Sequence, residues 1–230
     1  MEIRTFSDRQ TLVNELAEQI VAGLRTDIAQ QGRASLAVSG GSTPLPLFER
    51  LAELELPWQH VVITLVDERW VAPSSPDANE QLVRKHLLQR QAAAATFIGL
   101  KTAASTAEEG VAECASRLQE IPRPFTAVIL GMGNDGHTAS LFPCAAQLAQ
   151  AVDMNCGQRC LALRPQTAPY ERMSLTLPAI LEAKKLILHI TGQDKKAVLE
   201  RALAAGPPEE MPIRFILRQQ TVPVAVYWAP

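Results

Sequence analysis

Six short apolar runs, Ala34–Val38, Val61–Val66, Phe125–Leu130, Cys160–Leu163, Leu186–Ile190 and Val222–Tyr227, alternate with segments of helical periodicity. That alternation restricts the fold more than any other feature of the chain. Each run is too short for a helix. Several are rich in β-branched residues and lack polar alternation, as strands buried on both faces do. Between them lie helical patterns near 45–54, 77–90, 106–120, 138–150 and 193–205. A longer helix is predicted over 8–31, where Leu12, Leu16, Ile20, Leu24 and Ile28 recur at four-residue steps. Ser7 and Gln10 offer it a capping box, and Gly32 ends it. Strand and helix in alternation predict a mostly parallel sheet covered on both faces. Prolines punctuate the elements at 73–76, 122–124 and 207–212, but no Gly/Ser linker divides the chain, so 1–230 reads as a single α/β domain.

Composition excludes several partners. The 230 residues carry 22 Lys plus Arg against 24 Asp plus Glu, a net charge of −2, which gives nucleic acid or an anionic membrane nothing to grip. Aromatics make up 5%, too few for a base-stacking platform. No apolar run approaches the roughly 20 residues of a membrane span. The amino terminus lacks a secretory h-region, so a cytoplasmic protein is expected. The cysteines Cys114, Cys144, Cys156 and Cys160 form no C-x-x-C pair, and Cys156 and Cys160 have no histidine at metal-ligand spacing. Neither metal nor cofactor is expected.

In such sheets ligands bind outside the carboxyl ends of the strands, and three of the turns there are unusual. Ser39-Gly40-Gly41-Ser42-Thr43-Pro44 links a strand to a helix. Its glycines free backbone N–H groups, and the helix start adds positive charge, which suits a phosphate. A plain flexible turn capped by Ser and Thr is the alternative. Asp67-Glu68-Arg69-Trp70 ends the second run. It reads either as a solvated rim or as an arginine that polarises a carbonyl or holds a carboxylate, oriented by a neighbouring carboxylate such as Asp67. Gly131-Met132-Gly133-Asn134-Asp135-Gly136-His137 contains a formal G-x-G-x-x-G. A dinucleotide site would want an acidic residue at the end of the next strand, and Asp153 falls before that strand instead. The loop reads better as one that presents Asp135 and His137 at the mouth of the sheet. There the start of the helix predicted from 138 would favour a neutral imidazole able to act as a general base on water. His60, His86 and His189 read as structural.

Taken together, these turns, Pro76-Asp77-Ala78-Asn79, His137-Thr138-Ala139-Ser140-Leu141-Phe142-Pro143, Arg172-Met173-Ser174-Leu175-Thr176 and Thr191-Gly192-Gln193-Asp194-Lys195 resemble the 6-phosphogluconolactonases of the glucosamine-6-phosphate isomerase/6-phosphogluconolactonase family. Ala78 departs from the usual Ser, and Ala72 stands where a proline is common. The resemblance implies a Rossmann-like three-layer α/β/α fold and hydrolysis of a phosphorylated sugar lactone, a small-molecule substrate. It implies catalytic roles for His137, Arg69, Asp135 and Asp67, and substrate or phosphate contacts from Gly40, Gly41, Ser42, Thr43, Asn79, Arg172 and Lys195. The related deaminases carry an aromatic after Asp-Glu and Asn-Glu-Pro after the histidine; this chain has Arg69 and Leu141-Phe142-Pro143. A sugar-phosphate sensor of a transcription regulator would need a DNA-binding domain, for which the first helix, starting near residue 8, leaves no room. Oligomeric state is left open between a monomer and a small homo-oligomer.

Overall fold

A computed structural model describes all 230 residues. In chain order the elements are β1 (Glu2–Thr5), α1 (Arg9–Gln31), β2 (Ala34–Val38), α2 (Leu45–Glu53), β3 (Val61–Leu65), β4 (Asp67–Arg69) and α3 (Asn79–His86). There follow β5 (Thr96–Ile98), α4 (Ala107–Gln119), β6 (Ala127–Leu130), α5 (Leu148–Val152), β7 (Cys160–Leu163) and β8 (Arg172–Leu175). The chain ends with α6 (Leu177–Leu181), β9 (Leu186–Thr191), α7 (Gln193–Leu203), α8 (Ile213–Arg218) and β10 (Val224–Ala229).

Seven strands form a wholly parallel sheet in the order β1-β10-β9-β6-β2-β3-β5. Its central strands β2, β6 and β9 are buried along almost their whole length, which is why their sequences show no alternation. From β2 the chain winds outward to β3 and β5, then returns to the other side of β2 with β6, β9 and β10. The strand order therefore reverses between β2 and β6, and a crevice opens beyond their carboxyl ends. Ser39 closes its floor: its N–H and its Oγ both donate to the Ile129 carbonyl at 3.0 Å, and the Gly131 N–H donates to Ser39 Oγ at 3.2 Å. Sixty-three buried apolar residues form one contiguous core, including Leu12, Leu16, Ile20 and Leu24 of the four-step row of α1, with Ile28 packed against it.

Four expectations need correction. The run Cys160–Leu163 is a strand of a separate antiparallel sheet, β4-β8-β7, and not of the parallel one. The Asp67–Trp70 turn is in part the strand β4, a polar strand whose pairing comes from its partner β8 and not from apolar alternation. α1 has no capping box, and its N-cap lies one residue on: Asp8, not Ser7, accepts from the Thr11 N–H at 2.8 Å, and Ser7 donates to Asp8. The helix expected over 138–150 survives only as α5. Thr138 and Ser140 spend their hydroxyls on Gly131 O at 2.8 Å and Asp67 Oδ2 at 2.5 Å, Ala139 has a positive φ of 49°, and Pro143 follows, so no helix propagates there.

Candidate active site

A cavity of about 380 Å³ fills the crevice at the β2/β6 switch point. Of the residues singled out in the sequence, Gly40, Gly41, Ser42, Thr43, Asp67, Arg69, Asn79, His137, Arg172 and Lys195 all line it. Asp135 stands behind His137 instead. Its Oδ1 lies 2.6 Å from His137 Nδ1 and also accepts the His137 backbone N–H at 3.1 Å. Burial pushes the Asp135 carboxyl up, but the hydrogen bonds and charge of His137 outweigh it and hold the group below the usual carboxylate range. An ionised Asp135 fixes the proton on Nδ1, which leaves Nε2 to meet a water in the cavity. Phe142 stacks on the ring at a centroid distance of 4.0 Å and limits its rotation. Gly133 leaves room for the pair, since a Cβ there would lie 2.1 Å from His137 Nδ1 and 2.6 Å from Asp135 Oδ1.

No helix starts at His137, so the dipole expected to favour its neutral form is missing, while the Asp135 carboxylate orients the ring, as expected from the sequence. The same absence removes the helix amino terminus that a G-x-G-x-x-G dinucleotide site would need. The dinucleotide reading falls with it.

The opposite wall is cationic. Arg69 and Arg172 are cross-strand partners in the β4/β8 register. Like charges directly opposite are unfavourable unless an anion lies between them. Arg69 Nη1 donates to the Asp77 carbonyl at 2.7 Å and Arg172 Nη2 to that of Pro169 at 3.0 Å, yet both Nε atoms are buried without a protein partner. Burial also draws the Arg172 pKa down, although Asp67 works against it. Lys195, in the first turn of α7, donates to Asn134 Oδ1 at 2.6 Å and is likewise lowered by burial. At the third edge, Ser39 to Pro44 lead into α2, whose first turn has no side-chain cap; Leu45 N–H donates to the Ser42 carbonyl at 3.4 Å and Pro46 has no N–H, so the backbone donors left facing the cavity are those of the Gly40–Thr43 loop.

Several contributors escaped sequence reasoning. Ser140 holds Asp67, and its place within the His137–Pro143 motif was the available signal. Glu68 was visible only as one of three consecutive charges, yet it is almost wholly buried. His189, expected to be structural, lies in the cavity wall with both ring nitrogens unpartnered, and burial pushes its pKa down to about 4.

The parallel sheet and a cationic cleft with a carboxylate-braced histidine at its switch point define an α/β enzyme for a small anionic substrate. Comparison with known proteins narrows that class. The family model of glucosamine-6-phosphate isomerases/6-phosphogluconolactonase matches residues 7–228, and the chain belongs to that family. A 6-phosphogluconolactonase of Rhizobium meliloti (strain 1021) is 43% identical over 225 residues, covering 98% of this chain and 97% of the relative. One from Pseudomonas aeruginosa is 42% identical over 215 residues, with coverages of 94% and 89%. The crystal structure of a 6-phosphogluconolactonase from Shewanella baltica superimposes with a TM-score of 0.98 at 44% identity, over 100% of this chain and 98% of that one.

Proposed function

We infer that this chain hydrolyses 6-phospho-D-glucono-1,5-lactone to 6-phosphogluconate, the activity for which its relatives are named and a step of the oxidative pentose phosphate pathway. The observation that carries the reading is the meeting, in one cavity, of the His137–Asp135 pair with the opposed Arg69 and Arg172. The loop of Gly40, Gly41, Ser42 and Thr43 that leads into α2 receives the phosphate, and Arg172 and Lys195 add charge-assisted bonds. Asn79 and Asp67, braced by Ser140, contact the sugar.

His137 Nε2 takes a proton from a water as the water oxygen adds to the lactone carbonyl. Arg69 stabilises the tetrahedral oxyanion that forms. Collapse of that intermediate breaks the ring C–O bond, and the leaving oxygen receives the proton back from the imidazolium. Asp135 stays ionised throughout and compensates the charge that His137 carries in between. The deaminase reading is not favoured, because Arg69 occupies the position of its aromatic and no Glu follows the histidine at the position its relay uses.

The test follows lactone hydrolysis above the spontaneous background. His137→Ala is expected to lose about 10²–10⁴-fold in kcat, and Arg69→Ala about 10²–10³-fold. Full kcat in His137→Ala would overturn the base assignment.

A further inference from the structure

The carboxylate of Glu68 does not line the cavity but bonds to the backbone of two residues that do, Arg69 and Asn79. Its two oxygens have different duties. Oε1 accepts the backbone N–H of Arg69 at 2.7 Å and that of Asn79 at 2.8 Å. Oε2 accepts the N–H of Glu80 at 2.7 Å. Asn79 and Glu80 are the first two residues of α3, whose N-cap position is held by Ala78, a residue with no side chain able to cap. Glu68 thus supplies from a neighbouring strand the cap that the usual Ser would provide. Through Oε1 it also joins the strand that presents Arg69 to the helix that presents Asn79. Asn79 is tied back a second time, its Nδ2 donating to the Asp67 carbonyl at 2.8 Å.

We propose that Glu68 is a positioning residue for this active site: Oε1 sets the placement of Arg69 against Asn79, while Oε2 separately replaces the missing cap of α3. The kinetic part of the test rests on the lactonase reading above; the structural part does not.

The division between the two oxygens allows the two duties to be separated. In Glu68→Gln, Oε1 keeps its bonds to Arg69 and Asn79, while the amide nitrogen turns a donor toward the Glu80 N–H and the cap is lost. In Glu68→Ala/Ala78→Ser, the new hydroxyl reaches the N–H groups of Glu80 or Gln81 but neither that of Arg69 nor that of Asn79. The first variant is expected to lose thermal stability and keep kcat/KM within about threefold, less than a single lost hydrogen bond is worth. The second is expected to recover most of the stability lost by Glu68→Ala, yet to remain about 10²-fold down in kcat/KM, mainly in kcat, as misplacement of a catalytic group by about 1 Å implies. Its Arg69 and Asn79 amides should exchange with solvent faster than in the wild type, while that of Glu80 stays protected.

Recovery of kcat/KM together with Tm in Glu68→Ala/Ala78→Ser would reduce Glu68 to a helix cap and overturn the proposal. A loss of kcat/KM in Glu68→Gln as large as in Glu68→Ala would also overturn it. Should the wild type show no lactonase activity, the functional reading fails while amide exchange at Arg69 and Asn79 still decides the role of Glu68: unchanged protection in Glu68→Ala/Ala78→Ser refutes it.

Discussion

Replacing Gly40 by Ala tests how the phosphate loop and α3 are fitted together. A Cβ at Gly40 would stand 1.9 Å from Asn79 Oδ1 and 2.3 Å from its Cγ, whereas ordinary contact begins near 3.4 Å. Gly40 does not have a positive φ, so alanine adopts its backbone without strain and the whole effect is one of space. Asn79 would have to retreat by about 1.5 Å, and it is buried, with its Nδ2 bound to Asp67 O at 2.8 Å. Overpacking of this kind costs about 1–3 kcal/mol and the broken hydrogen bond about 1 kcal/mol more, so Gly40→Ala should destabilise by about 2–4 kcal/mol. At 2–4 °C per kcal/mol for a chain of this length, that is a fall in Tm of roughly 5–15 °C. Asn79→Ala alone should cost about 1–3 kcal/mol, since it leaves the Asp67 carbonyl unpaired. In Gly40→Ala/Asn79→Ala the offending oxygen is gone and the new methyl group enters its space. The double variant should then be barely less stable than Asn79→Ala, a departure from additivity of about 2 kcal/mol. Urea denaturation of the four proteins measures it. Additivity within about 0.5 kcal/mol would mean that the two residues do not compete for one volume, and the reasoning would fail.

Two further outcomes follow from the charges. Burial pushes the Glu68 pKa from 4.5 up to about 7, so the folded state holds that proton more tightly than the unfolded state; its contribution to stability is full below about pH 4.5 and is lost as the pH rises through about 7. The neighbouring Asp67 carboxylate acts in the same direction. Relative to the non-titrating Glu68→Gln, the wild type should therefore lose about 3 kcal/mol between pH 4.5 and 8, visible as Tm-against-pH curves that converge or cross; parallel curves would count against it. Lys195→Met should raise KM for the phosphorylated lactone by about 10–10²-fold with little change in kcat, the worth of a charge-assisted bond. The penalty should vanish with unphosphorylated gluconolactone, and its persistence there would remove Lys195 from the phosphate site.

Much of the site was legible because its residues sit in turns that follow strongly apolar strands. Once β2, β3 and β6 are recognised from buried runs, their carboxyl ends bring Gly40, Arg69 and His137 to one edge of the sheet. The role of Glu68 was not legible, because burial of a charged residue depends on the groups that fold over it, and the N–H groups of its neighbour Arg69 and of Asn79 and Glu80 at the start of α3 supply that cover. Nor was the fate of 138–147. Its apolar spacing suits a helix, but the hydroxyls of Thr138 and Ser140 find partners on Gly131 and Asp67, which lie in other parts of the chain.

By itself the sequence determined the parallel sheet, the long amphipathic α1 and the loops at the sheet mouth, since these follow from the period of apolar residues and from local backbone freedom. Only the tertiary structure decided that β4, β7 and β8 form a second, antiparallel sheet, that Arg69 stands opposite Arg172, and that no helix starts at His137. The physical reason is one of range. Apolar burial writes a periodic signal along the chain, whereas charge pairing and the satisfaction of buried polar groups depend on atoms brought together from distant segments, and leave no period to read.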